Sequence, residues 1–472
     1  MLRDRYEPMD LFGLIPALSL ALEPGLAQLD RLLDDDVLFQ RIKADLSRRT
    51  PHTTTRGRPS TPVEVILRML VIKRLYHWSY EETEHLVADS LVLRQFCRVY
   101  LEPVPDDTTL LRWANLIEPA TLAALNERVV ALAYSLQVTR GRKLRVDSTV
   151  VETTIHYPTD SGLINDGVRV LSRLLRRTKA ATGTAAGLGL QAFRSRQRTV
   201  RRLVRQLHRL AQRKGEEAIA ARQQTYKRLL AVAQKTCTQA GQVSAALRGH
   251  AGTGARRLVQ QFDQFLPRVA QVLDQTVRRV LYGEMVPARD KLVSLFEPHT
   301  QIIVRRKTGK PVEFGRKVWL EEVEGGIISG YRILAEAGQD FPYLPESLGA
   351  HQHRFGRPPR LLAADRGVYA AANEAMAQQV GVKHVVIPYA GKPPPARAAY
   401  ERTAWFRRGC RFRAGIEGRI SVLRRRGSLA RCRDHGEAGL GRWVGWGIVT
   451  ANLVTIAHTL AGRLAHRVAQ AA

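Results

Sequence analysis

Acidic residues are too few to balance the basic ones. Against 74 Lys and Arg the chain of 472 residues carries only 43 Asp and Glu, a formal net charge of +31 at neutral pH. Solubility does not require so large a surplus, and a polyanionic partner is its economical explanation, nucleic acid first and an anionic membrane second. Cysteine is scarce too. Cys97, Cys237, Cys410 and Cys432 form no CxxC pair and no Cys/His ligand spacing, which argues against a zinc site and a disulfide framework and fits a reducing cytoplasm. Long apolar runs are missing. Leu11 to Leu22 is interrupted by Pro16 and flanked by acids, and Trp443 to Ala457 is too short for a bilayer and contains Asn452. Both read as packed helices, with no membrane partner expected. No repeat of fixed period is evident.

What is present divides by pattern. The chain is too long for a single core. Residues 61 to 118 read as short helices, opening on the apolar periodicity of Val63, Ile66, Leu67, Leu70 and Val71. Ser79 with Glu82 is a capping-box start, and Asp107 with Thr108 and Thr109 can cap a further helix. From Lys143 the pattern turns to β, with Leu144, Val146, Val150 and Val151 around Asp147. Phe314 to Glu324 and Ile327 to Leu334 read as strands joined through Gly325 and Gly326. Leu361 to Asp365, a helix from about Tyr369 to Gln379 and a strand from His384 to Ile387 complete an α/β core with a mixed sheet. Between the first strand and the hairpin, residues 161 to 260 hold 21 Lys/Arg and 3 Asp/Glu. There Val200, Leu203, Val204, Leu207 and Leu210 form a helical stripe, which leaves Arg201, Arg202, Arg205 and Arg209 beside it for phosphates. Gly183 to Gly189 reads as a turn within this stretch. The expected domains are therefore 1–135, helical and DNA-binding; 140–165 with 290–460, the α/β core; and 166–289, the Arg-rich helical insertion.

Three carboxylates stand out by setting. Asp147 lies mid-strand among residues that favour burial, and a carboxylate there needs a partner, for which a divalent cation is suited. Asp365 follows the apolar run Leu361-Leu362-Ala363-Ala364 at a strand end, where ligands of α/β sheets collect. Glu417 lies in a basic helix, on one face with Arg413, Ile420 and Arg424. Singly, each has a plainer reading: a strand Asp paired with Arg, a turn-forming Asp, a helix-surface Glu paired with Arg413. Together, a strand Asp, a strand-end Asp and a helix Glu suit a pair of Mg²⁺ ions and phosphodiester chemistry. Glu152, Glu401 and Glu437 are the rivals for the third position. His156 and His435 could move protons or contact phosphate but are not counted as catalytic.

The blocks Val146-Asp147-Ser148-Thr149, Ala364-Asp365-Arg366-Gly367-Val368-Tyr369 and Arg413-Ala414-Gly415-Ile416-Glu417-Gly418-Arg419-Ile420 resemble the three motifs of DDE-type insertion-sequence transposases. The last is similar to the family's Tyr-x2-Arg-x3-Glu-x6-Lys signature, with Cys410 at the Tyr position and Arg424 where Lys is usual. His156-Tyr157-Pro158-Thr159-Asp160-Ser161 is similar to a stretch of the loosely grouped ISNCY elements. The resemblance implies an RNase H-like core whose mixed β-sheet is flanked by helices. It implies two Mg²⁺ ions, or Mn²⁺ in their place, held by Asp147, Asp365 and Glu417. It also implies double-stranded DNA as partner, contacted by Arg413 and Arg424 besides the insertion arginines, a homodimer on DNA, and a cytoplasmic, nucleoid-associated location. Cleavage of transposon ends and strand transfer is the function expected. A structure-selective nuclease or resolvase, or a non-catalytic domesticated DNA-binding protein, is the alternative.

Overall fold

The computed structural model describes residues 1–7, 22–50, 52–182, 190–249, 252–307, 310–336, 338–427 and 429–471. The helix expected over Leu11 to Leu22, Leu22 itself apart, and the turn expected over Gly183 to Gly189 lie outside the described residues. The chain divides into two compact units, Met1–Thr153 with Arg316–Ala472, and Thr154–Gly315.

The first unit opens with helices α1 (Pro24–Leu33), α2 (Asp36–Ser47), α3 (Val63–Tyr76), α4 (Tyr80–Asp89), α5 (Leu91–Phe96), α6 (Asp107–Leu116) and α7 (Pro119–Ser135). Residues of α3 are buried on every side, so it is an interior helix rather than an amphipathic one. Ser79 and Glu82 start α4 with both halves of the capping box formed. The cap of α6 is Asp106 and not Asp107. Asp106 accepts from the Thr109 amide at 2.7 Å and from the Thr108 and Thr109 hydroxyls, whereas Asp107 is already the first helical residue.

Strand β1 (Lys143–Thr153) follows and is the centre of the sheet. The chain then enters the second unit, with α8 (Asp160–Thr182), α9 (Gln197–Ala211), α10 (Glu216–Arg248), α11 (Thr253–Thr276) and β2 (Gln301–Lys307). These four helices share an apolar core in which Leu171, Leu203, Leu229 and Phe262 each represent one helix. The Arg-rich part of the stretch between β1 and the hairpin is thus helical, as its periodicity indicates, whereas β2 is a strand not read from the sequence.

Strand β3 (Lys310–Val323) pairs antiparallel through its first residues with β2 and through Val318 to Val323 with β4 (Ile327–Ile333). Gly325 and Gly326 make the β3–β4 turn at φ of 85° and 74°, a left-handed pair that glycine adopts without steric cost. The first unit continues with α12 (Leu344–Phe355), β5 (Leu361–Ala363), α13 (Ala371–Gln379), β6 (His384–Val386), α14 (Pro395–Glu401), α15 (Ala404–Arg426), β7 (Arg431–Cys432) and α16 (Gly436–Ala471). The sheet runs β2-β3-β1-β5-β6, with β4 also on β3 and β7 on β1, and the β1–β5, β5–β6 and β1–β7 pairs are parallel. Leu144, Val146, Trp319, Leu362 and Val385 enter the large core that holds Leu348 of α12 and Ala377 of α13. Val151, Val318 and Leu320 pack instead with Leu423 of α15 and with Trp443 and Val444 of α16.

Helix α16 extends well beyond the stretch Trp443 to Ala457. Among the described residues it is the one helix with the length and apolar composition of a membrane span, and 61% of its most apolar window is buried inside the protein. Its partners are α1, α3 and α7, so core packing accounts for its hydrophobicity. Asn452, the polar residue within it, is fully buried. Its side chain accepts from the Ile328 amide at 2.9 Å and donates to the Ile328 carbonyl at 2.9 Å and to Asn126 at 2.8 Å. Asn452 therefore pins β4 beside its bulge. Asn452→Leu takes the side-chain acceptor from the Ile328 amide and the donor from the Asn126 side-chain oxygen, while the Ile328 carbonyl keeps the Asn126 amide at 3.2 Å, and is expected to destabilise the unit by about 1–3 kcal/mol. Denaturant unfolding of the two proteins checks this, and an unchanged midpoint would contradict it.

Candidate active site

The register of two parallel strands sets Asp147 and Asp365 side by side. Arg145 pairs with Ala363, and each Asp lies two residues further along its own strand or strand end, which by the two-residue repeat directs both to the same face. Each carboxylate is oriented locally in the same way. Asp147 Oδ1 accepts from the Ser148 amide at 2.7 Å and Asp365 Oδ1 from the Arg366 amide at 2.8 Å, leaving Oδ2 of each for other partners.

Helix α15 packs over this face against β1, β5 and β6. Phe406, Ile416 and Leu423 are its buried apolar residues, and Gly409 lets it approach β6 so closely that a Cβ there would overlap Val386. Arg145 ties the helix to the sheet. It donates to both oxygens of buried Glu322 on β3, at 2.7 and 2.6 Å, and to the Phe412 carbonyl of α15, with its guanidinium 4.7 Å from the Phe412 ring centre.

That docking delivers Arg413 and Glu417 to the two aspartates. Arg413 Nη2 lies 3.2 Å from Asp147 Oδ2 and 3.5 Å from Asp365 Oδ2, and its Nη1 lies 2.9 Å from Glu417 Oε1. One guanidinium thus touches all three carboxylates, each from a separate element. The side chains of Asp147, Asp365 and Glu417 are 17%, 54% and 66% exposed, so the cluster grades from an interior acid to two that face solvent.

The rival acids have other partners. Glu401 accepts from the Tyr389 amide at 2.8 Å and pairs with Arg397 at 3.0 Å, Glu152 pairs with Arg431, and Glu437 with Arg316. An acid that does not stand out in the sequence is close by. Asp340, in the loop after β4, accepts from the Ser148 hydroxyl at 2.8 Å and pairs with Lys317 at 2.6 Å. The only signal for it is its position in a loop after a strand hairpin, which is too common to single it out.

Arg413, expected among the DNA contacts, lies between the three acids. Like charges brought together need a cation between them, and in this arrangement the guanidinium supplies it. Arg424 donates weakly to the Val150 carbonyl, at 3.4 Å. In the second unit Val200, Leu203, Val204 and Leu207 of α9 are buried, while Arg201, Arg202, Arg205 and Arg209 are exposed, without a salt bridge among the described residues.

The donor set is chemically suited to hard divalent cations, since three carboxylates offer six oxygens. As the side chains stand, no three Asp, Glu, His or Cys groups among the described residues form a ready metal-binding set. An ion entering between the acids would have to displace Arg413. Burial raises the Asp147 carboxyl above the usual Asp range; the Ser148 amide and Arg413 oppose this, and Asp365 and Asp340 add to it. Carrying that charge costs stability at neutral pH, a penalty relieved as pH falls through the raised pKa. Asp147→Asn is therefore expected to raise the thermal midpoint in chelator at neutral pH, with the gain shrinking in acid. Thermal unfolding at both pH values checks this, and a less stable Asn protein at neutral pH would contradict it.

Residues 22–116, from α1 through α6, match a family described as Transposase domain (DUF772). The chain therefore carries a transposase domain, and the match supports an insertion-sequence transposase as its class. No curated protein and no solved structure matches the chain.

Proposed function

We propose that the protein is a DDE-type DNA transposase, in which Asp147, Asp365 and Glu417 hold two Mg²⁺ or Mn²⁺ ions for cleavage of transposon ends and strand transfer into target DNA. The observation that carries this reading is the meeting of three carboxylates, from β1, the end of β5 and α15, at one guanidinium. The sheet order adds support. A hairpin on one flank of β1 and two parallel strands on the other are compatible with an RNase H-like core. The transposase domain at residues 22–116 supplies the biological class.

When bound, the cations would offset the charge that develops on the attacking and leaving oxygens of an in-line displacement at phosphorus. The chain's own residues prepare for this. The amides of Ser148 and Arg366 fix the rotation of the two aspartates, and the Arg145–Glu322 pair fixes α15 and hence Glu417. Arg413 holds the acids together in the absence of metal and, once displaced, becomes a cation free for phosphate. Affinity for double-stranded DNA comes from the exposed arginines of α9, and a homodimer on DNA is the assembly this reading entails.

The test is to incubate the full chain with Mg²⁺ and DNA bearing its element's ends, following cleavage and joining on a gel. Both steps are expected. Cleavage without joining would assign the protein to structure-selective nucleases instead.

A further inference from the structure

The C-terminal end of α3 buries two consecutive cations. Lys73 and Arg74 are each 7% exposed, and the carboxylate that acts on both is that of Asp434, one acid for two cations. Aromatic rings surround them. The Lys73 ammonium is 4.2 Å from the ring centre of Tyr80 and 6.0 Å from that of Trp443, and the Arg74 guanidinium lies 3.8 Å from the Trp443 ring centre and donates to the Trp443 carbonyl at 3.1 Å. Adjacent like charges withdrawn from water are costly unless a counter-charge reaches them.

The place for a further negative charge is a cavity of about 160 Å³, lined by both cations with Trp78, Arg433, Asp434 and Trp443, where three cations face one carboxylate. It is several times the roughly 30 Å³ that one water occupies in the liquid. Among the described residues Asp434 is the only acid on its wall, against the three cationic side chains of Lys73, Arg74 and Arg433. The left-handed His77, at φ 63°, turns the chain so that Trp78 and the start of α4 close one side, where the Glu82 carboxylate already accepts from the Ser79 amide at 2.6 Å. Burial, with Arg74 beside it, pulls the Lys73 ammonium down to about 8, which leaves it mostly charged at neutral pH.

We propose that this cavity binds a phosphate group, with Lys73, Arg74 and Arg433 supplying charge and hydrogen bonds and Trp78 and Trp443 forming the walls. The site shares no residue with the three carboxylates and does not depend on their metal chemistry. Its phosphate can belong to DNA or to a free phosphate compound.

The test is calorimetric titration of the full chain with inorganic phosphate in chloride buffer at fixed ionic strength, paired with titration of a short DNA duplex. Saturable phosphate binding is expected, weakened about tenfold or more in Lys73→Met and in Arg433→Ala, since each removes a charge-assisted hydrogen bond. Met retains the length of the buried stem, and Arg433 is exposed, so both variants should fold. Parallel loss of duplex affinity would assign the site to DNA phosphates, and unchanged duplex affinity to a free phosphate compound. Absence of saturable phosphate binding by the unmodified protein, or phosphate affinity in both variants equal to that of the unmodified protein, overturns the proposal.

Discussion

Alanine at Asp147, Asp365 or Glu417 is expected to slow cleavage and joining of transposon ends by roughly 10³-fold or more in each case, with little change in DNA affinity. The size of the effect follows from shared work. In the proposed reading each acid would contribute oxygens to the same pair of cations, so removing one would disable the set, and the double and triple variants should be hardly slower than the singles. DNA affinity should survive because the exposed arginines proposed to bind phosphate, those of α9, are left in place. Glu401→Ala is the internal control. Its carboxylate is held by the Tyr389 amide and Arg397 and makes no ion pair with Arg413 among the described residues, so the rate should stay near that of the unmodified protein. Full activity in Glu417→Ala would remove the third ligand from the account.

Replacing Arg201, Arg202, Arg205 and Arg209 together by Gln should make the dependence of log affinity on log salt shallower by roughly three to four, about one for each phosphate that is no longer neutralised. The weakening should be alike for element ends and random duplex, since the DNA backbone carries no sequence information. The fold of the second unit should persist, because Val200, Leu203, Val204 and Leu207 keep their buried stripe and none of the four arginines forms a salt bridge among the described residues. Filter binding across a salt series reads both quantities. An unchanged slope would place the DNA surface on another element, and a loss confined to element ends would make α9 a reader of bases.

The regular elements around the carboxylates were legible because their signals are local. The alternation at Leu144 and Val146, the Gly325-Gly326 turn, the apolar run before Asp365 and the four-residue spacing of Arg413 and Glu417 each reflect periodicity or turn chemistry within a short window. What the sequence hid depends on partners far along the chain. Arg413 looks like one more arginine on a basic helix until the β1–β5 register brings two aspartates beneath it. Lys73 and Arg74 look like an ordinary basic helix end, and only Trp443, some 370 positions later, buries them. Asn452 argued against a membrane span, and its task of holding Ile328 depends on how α16 meets β4. Asp340 has no sequence signal beyond a loop, because its relation to Asp147 passes through the Ser148 hydroxyl. The capping shift from Asp107 to Asp106 is the smaller kind of error, one residue at a helix start.

The central claim is that three carboxylates form one site for divalent cations that act on DNA. Mn²⁺ titration of the DNA-bound protein, read by electron paramagnetic resonance of the free ion, tests it without relying on turnover. The account predicts two Mn²⁺ bound per chain in the unmodified protein and neither retained when Asp147, Asp365 and Glu417 are all Ala. Equal Mn²⁺ stoichiometry and affinity in the two proteins would contradict it.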